Sequence, residues 1–183
     1  PAVTRINTEE TFSIQAPFSN LGDINGDGRD DLLIAAYGNN YNAKLNGGMY
    51  VVFGREDRWS AQNISLSGLD ARNEGFRMTG AVDLDYVGQH SFTGVGDMNG
   101  DGIDDFIFMS PGDDEQTNAG ATSGVGSSYL IFGRETGWQD IDLLEMQDYG
   151  IQILRTNNAA KWTALGDVDG DGFDDAGLTT NAG

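Results

Sequence analysis

The sequence predicts an all-β chain of four-stranded, propeller-like blades, two complete and a third partial, and three observations carry that prediction. An acidic run recurs in phase along the chain, a second marker recurs beside it, and the segments between are short and apolar with glycine-rich turns. The run Gly22-Asp23-Ile24-Asn25-Gly26-Asp27-Gly28-Arg29-Asp30-Asp31 returns at Gly96 to Asp105 and at Gly166 to Asp175. Asp97 thus follows Asp23 by 74 residues, and Asp167 follows Asp97 by 70. The second marker, GGMYVVFGRE at Gly47 to Glu56, returns as GSSYLIFGRE at Gly126 to Glu135.

Each element can be placed from these markers. The first unit offers strands near Phe12 to Ala16, Leu32 to Ala36, Met49 to Phe53 and Phe76 to Thr79, with the acidic run between the first two. The second offers Ser91 to Val95, Phe106 to Met109, Tyr129 to Phe132 and Ile151 to Leu154. Leu32 to Ala36 is a nearly continuous apolar run, which fits a strand covered on both faces by neighbouring sheets. Four-stranded sheets covered in this way suggest propeller blades. The third unit starts near Trp162 and holds its acidic run and one further strand. Ala2 to Ile6 alternates like a lone strand at the other end. The expected organisation is an N-terminal arm at 1–11, a first blade at 12–80, a second at 81–155 and a partial third at 156–183. Such a stack leaves sheet edges and apolar faces open to another chain or to further sequence.

Composition narrows the partners. With 10 Lys+Arg against 29 Asp+Glu the formal net charge is -19, which argues against nucleic acid and against anionic membrane surfaces and favours cations. A hydrophobic content of 38% and an aromatic content of 10% set the chain apart from disordered acidic sequences. There is no cysteine, so a metal would have to bind oxygen, and no disulfide reports on the redox compartment. No apolar run approaches the ~20 residues of a membrane span, so membrane insertion is not expected. A chain beginning at Pro1 without a basic-then-apolar leader is expected to be a processed or excised product.

The acidic runs have the chemistry of a calcium loop, in which hard oxygen donors alternate and a glycine permits the sharp turn. In the first, Asp23, Asn25 and Asp27 alternate, the carbonyl of Arg29 can turn inward, and Asp31 closes the shell. The second repeats this with Asp97, Asn99, Asp101, the carbonyl of Ile103 and Asp105. The third uses Asp167, Asp169, Asp171, the carbonyl of Phe173 and Asp175. About three calcium ions per chain are expected, one in each loop. Asp30, Asp104 and Asp174 read as outward groups or as support behind the ligands, because successive strand residues point to opposite faces. The third loop carries one carboxylate more and should bind more tightly. An EF-hand is excluded, since the twelfth positions Ile34, Phe108 and Leu178 read as strand where that motif needs a Glu. Asp-Gly sequences also make good turns without metal, but three loops in phase argue against that account. Crowded carboxylates repel without a cation, so folding and calcium should be coupled.

These residues resemble the FG-GAP repeats of integrin alpha-subunit propellers and of bacterial extracellular proteins. The likeness rests on the three loops, on Phe53-Gly54 and Phe132-Gly133, on Ser110-Pro111 as a remnant of the Gly-Ala-Pro mark, and on the phrases GFRMTG and FGRETGWQDIDL. It implies a propeller with calcium between the first two strands of a blade, in an extracellular or cell-surface protein of adhesion or assembly. The Gly-Ala-Pro mark is lost at Ala35-Ala36-Tyr37 and at Leu178-Thr179-Thr180, and the blades fall short of the usual seven.

An enzyme is not expected. His90 stands without a candidate partner, Asp113-Asp114 sit in a loop-like stretch, and most other carboxylate pairs belong to the acidic runs. Asp83 and Asp85 could serve a further ion or simply the surface. Trp59, Trp138 and Trp162 could form a sugar-binding face or fill blade cores. Two expectations for function remain. One is a calcium-stabilised homo-oligomer or polymer joined through open blade edges; the other is part of a larger adhesin that binds a protein or glycan ligand.

Overall fold

The computed structural model describes residues 5–7, 18–36, 47–56, 63–80, 86–89, 91–110, 125–157 and 161–179. The described chain is all-β apart from one short 3-10 segment, Leu143–Asp148. In order, the strands are β1 Arg5–Asn7, β2 Phe18–Gly22, β3 Asp31–Ala35, β4 Gly48–Val52, β5 Asn63–Ser65, β6 Gly75–Thr79, β7 Phe92–Gly96, β8 Asp105–Ser110, β9 Val125–Ile131, β10 Ile141–Asp142, β11 Gly150–Asn157, β12 Lys161–Gly166 and β13 Asp175–Thr179.

Two antiparallel meanders dominate. The first sheet runs β2-β3-β4-β6, and β10 adds a fifth strand parallel to β6, with Ile141 opposite Met78. The second sheet runs β7-β8-β9-β11, and β12 pairs with β13 in a third. The strand expected at Phe12 to Ala16 lies outside the described residues; the strand that precedes the first loop and pairs with β3 is β2. The supposed lone strand near the N-terminus is corrected in two respects. Its described part is Arg5–Asn7, and it is paired in parallel with β5, Ile6 opposite Ile64.

The packing explains why the apolar runs are continuous. Strand side chains alternate between faces, and here both faces are covered. Leu33 and Ala35 of β3 and Met49 and Val51 of β4 enter one core with Phe106, Phe108, Tyr129 and Ile131 of the second sheet. The intervening Ile34, Ala36, Tyr50 and Val52 turn the other way and pack on Ile64, Leu66 and Leu69. The second sheet repeats the device, sending Val95, Ile107, Met109 and Leu130 to meet Trp162 of the third. Phe108 stacks on Tyr129 with ring centroids 5.3 Å apart, and Trp138 stacks on Phe76 at 4.4 Å. Trp138 and Trp162 are therefore core residues. Their indole N–H groups are satisfied by the Arg134 carbonyl and the Ser128 hydroxyl. Trp59 lies outside the described residues.

Candidate metal centre

Each acidic run forms the turn between the first two strands of its sheet, and the three turns are built alike. The first strand ends in a bulge at Gly22, Gly96 or Gly166, where φ lies between 71° and 79°. That left-handed backbone favours glycine and swings the chain into the loop.

Inside the loop, side chains replace missing backbone partners. Asp97 Oδ1 accepts from the N–H groups of Gly100 and Asp101, at 2.7 and 3.1 Å, and its Oδ2 accepts from Gly102 at 2.7 Å. Asn99 accepts from Asp101, and Asp101 from Ile103. Asp167, Asp169 and Asp171 repeat the pattern with Gly170, Gly172 and Phe173. In the first loop Asp23 accepts from Asp27 and Gly28, Asn25 from Asp27, and Asp27 from Arg29. The short polar residues at alternate positions therefore hold the turn.

The last carboxylate of each run behaves differently. Asp31 is buried, and its two oxygens accept from Ile24 and Gly54 N–H at 3.0 and 2.8 Å. Asp105 does the same with Met98 and Gly133. These bonds explain the Phe-Gly marks. The glycine N–H binds the loop carboxylate, and a Cβ at Gly54 would stand 2.6 Å from the Asp30 carbonyl oxygen. Burial is the main cause that pushes the Asp31 carboxyl up to about 7 and that of Asp105 to about 6. Repulsion from Asp27 and Asp23, or from Asp101 and Asp97, adds to it, and the backbone bonds oppose it.

Among the described residues, one group of three acidic side chains has the spacing of a cation site. Oxygens of Asp167, Asp169 and Asp175 all lie within 4.8 Å of one another. Oxygens so spaced converge closely enough for small side-chain movements to bring them around one hard cation. Asp171 is outside this trio. The equivalent trios in the other loops have Asn25 and Asn99 in the middle, so they present two carboxylates and an amide oxygen. The first loop also carries a competing cation. Arg29 Nη1 lies 3.5 Å from Asp27 Oδ2, and its Nη2 donates to Glu56 at 2.8 Å.

The sequence reading missed what Asp104 and Asp174 do. Asp104 belongs to the second loop but grips the first: its Oδ2 accepts from Asp23 N–H at 2.7 Å, and its own N–H donates to the Asp23 carbonyl at 3.1 Å. Asp174 grips Asp97 in the same two ways, both at 2.9 Å. The carboxylates fit because Gly22 and Gly96 lack a Cβ, which would collide with Asp104 and Asp174. Asp30, the equivalent group of the first loop, accepts instead from the Asn20 amide at 2.7 Å. The residues His90, Asp83, Asp85, Asp113 and Asp114 lie outside the described residues.

Stacked antiparallel sheets with an acidic turn at the same corner of each define an all-β repeat protein of propeller-like type. Within that class the chain carries an FG-GAP repeat: the family model of that name matches residues 19–51, from β2 through the first loop to β4. The chain is also similar to phosphatidylinositol-glycan-specific phospholipase D of Mus musculus, 26% identical over 173 residues. The match takes in 90% of this chain and spans only 19% of that protein.

Proposed function

We propose that this chain is a calcium-binding extracellular structural protein whose propeller blades pair with those of other chains in a calcium-stabilised polymer or surface assembly. FG-GAP repeats typically occur in extracellular or surface proteins, and no described helix is long and apolar enough to cross a membrane. Calcium is supported by the oxygen spacing of Asp167, Asp169 and Asp175. The reading is non-catalytic, since the loop carboxylates are engaged in holding turns.

One observation carries assembly: apolar residues buried in the two junctions within the chain have exposed counterparts on the first and third sheets. Leu21 and Ile24 are buried beneath the second sheet, and Val95 beneath the third. Their counterparts on the third sheet, Leu165 and Val168, are 51% and 65% exposed. On the opposite half, Phe92 packs into the core and Trp162 is buried, whereas the equivalent Phe18 is 55% exposed. Joining Phe18 of one chain to Leu165 and Val168 of the next would extend the series head to tail, a contact that builds open filaments unless rotation closes a ring.

Sedimentation velocity tests the proposal. Large species in millimolar calcium that dissociate in EGTA are expected; a folded monomer in calcium would overturn assembly. A second reading is that the chain is a module of a longer adhesin propeller whose loops bind a protein or glycan. It is favoured by the small share of the phospholipase D relative that the chain spans, and a calcium-loaded monomer would support it.

A further inference from the structure

We propose that the three loops bind calcium cooperatively, coupled in series by Asp104 and Asp174; this inference rests on the calcium reading above. The coupling elements are two identical clasps. Asp104 takes both the N–H and the carbonyl of Asp23, the first ligand position of the first loop, and Asp174 takes both from Asp97. Each clasping residue sits between two candidate ligands of its own loop. Asp104 follows the carbonyl donor Ile103 and precedes Asp105; Asp174 lies between Phe173 and Asp175.

An ion in the second loop draws Ile103 and Asp105 into one shell and thereby fixes Asp104 between them. That in turn fixes the peptide from which the Asp23 carboxylate projects. A second tie runs the same way, from Arg134 N–H, just past Gly133, to the Ile24 carbonyl at 3.0 Å. Side chains tighten the link as well. Ile103 lies against Gly26, and Phe173 is packed so closely on Gly100 that a Cβ there would collide with it. Order gives the coupling its sign: an ion that fixes one end of a clasp has already met part of the ordering cost of the loop at its other end, so each ion favours the next. Linkage makes the effect reciprocal, and couplings of this kind change affinity by about five-fold or more.

The chain contains its own control. Asp30 has the same place in its loop, but no described loop lies in its grasp, and its carboxylate is held by Asn20. Calcium titrations followed by NMR can use the Gly28, Gly102 and Gly172 amides as separate reporters of the three loops. In the unaltered chain the reporters should titrate in overlapping steps, with midpoints closer together than in the clasp variants. Asp104→Ala should shift Gly28 to higher calcium than Gly102 by about five-fold or more, Asp174→Ala should separate Gly102 from Gly172, and Asp30→Ala should change neither offset. Because a clasp variant could also loosen the fold, the reciprocal test leaves the clasps intact. Asp167→Asn with Asp171→Asn, in the exposed third loop, should weaken binding at Gly102. Three independent isotherms, or Asp104→Ala offsets equal to those of the parent, would overturn the coupling alone. No calcium response at any reporter would overturn the calcium reading and the coupling with it.

Discussion

Asp31 and Asp105 join three parts of one sheet: the loop, the second strand and the Phe-Gly turn. Their chemistry is pH-dependent with a defined sign. An unfolded aspartate titrates near ~3.9, whereas burial raises Asp31 to about 7 and Asp105 to about 6. The folded chain then holds protons that the unfolded chain has released. Stability from these groups is full below about pH 4 and is lost as pH rises through 6 to 7. Without calcium, the melting temperature followed by circular dichroism should therefore fall between pH 5 and 8. With calcium it should not, because the ion favours the ionised carboxylates, and the stabilisation by calcium should grow with pH. Equal calcium stabilisation at pH 5 and 8 would remove these two residues from the ligand set. The repeated Asp-Asp pairs made the candidate ligands legible in the sequence. What could not be read was the partner of the outward carboxylate: Asp104 and Asp174 reach the preceding loop, whereas Asp30 is held by Asn20. That partner depends on sheet stacking, which no local pattern encodes.

At the scale of the element, the loops share a backbone but not a charge. The third loop has five carboxylates from Asp167 to Asp175, the second has four, and the first has four offset by the Arg29 guanidinium beside Asp27. Affinity should rise from the first loop to the third. Arg29→Ile, which copies the second loop, should tighten the first by several-fold in calorimetry; an unchanged affinity would mean that the salt bridge to Glu56 already diverts the charge. The long strands were readable because apolar runs mark strands covered on both faces. β5 and β10, with three and two residues, are too short to show a period. The shift from Phe12–Ala16 to β2 has another cause. Phe12 to Ala16 alternates and Phe18-Ser19-Asn20-Leu21-Gly22 does not, so only the spacing of the second repeat, whose first strand runs directly into its loop, points to β2.

The whole molecule is held by what passes between sheets. Phe108 is fully buried in the core shared by the first two sheets, stacked on Tyr129. Phe108→Ala should cost about 3–5 kcal/mol, measured by urea denaturation in calcium. A cost near 1 kcal/mol would show that the sheets close over the gap. Burial on both faces was foreseen from the sequence, but the partner on each face was not. Alternation says that two neighbours exist and leaves open which segments they are.

The parallel pairing of β10 with β6 gives the two repeats a relation that their linear order hides. Ile141 and Asp142 belong to the second repeat by sequence but to the first sheet by hydrogen bonding, and Asp140 adds an ion pair to Arg77 at 3.2 Å. The repeats are interlaced rather than threaded like beads. A protease that cut between Gly80 and Tyr86 would sever the polypeptide and still leave one body, its halves held by a strand that each regards as its own.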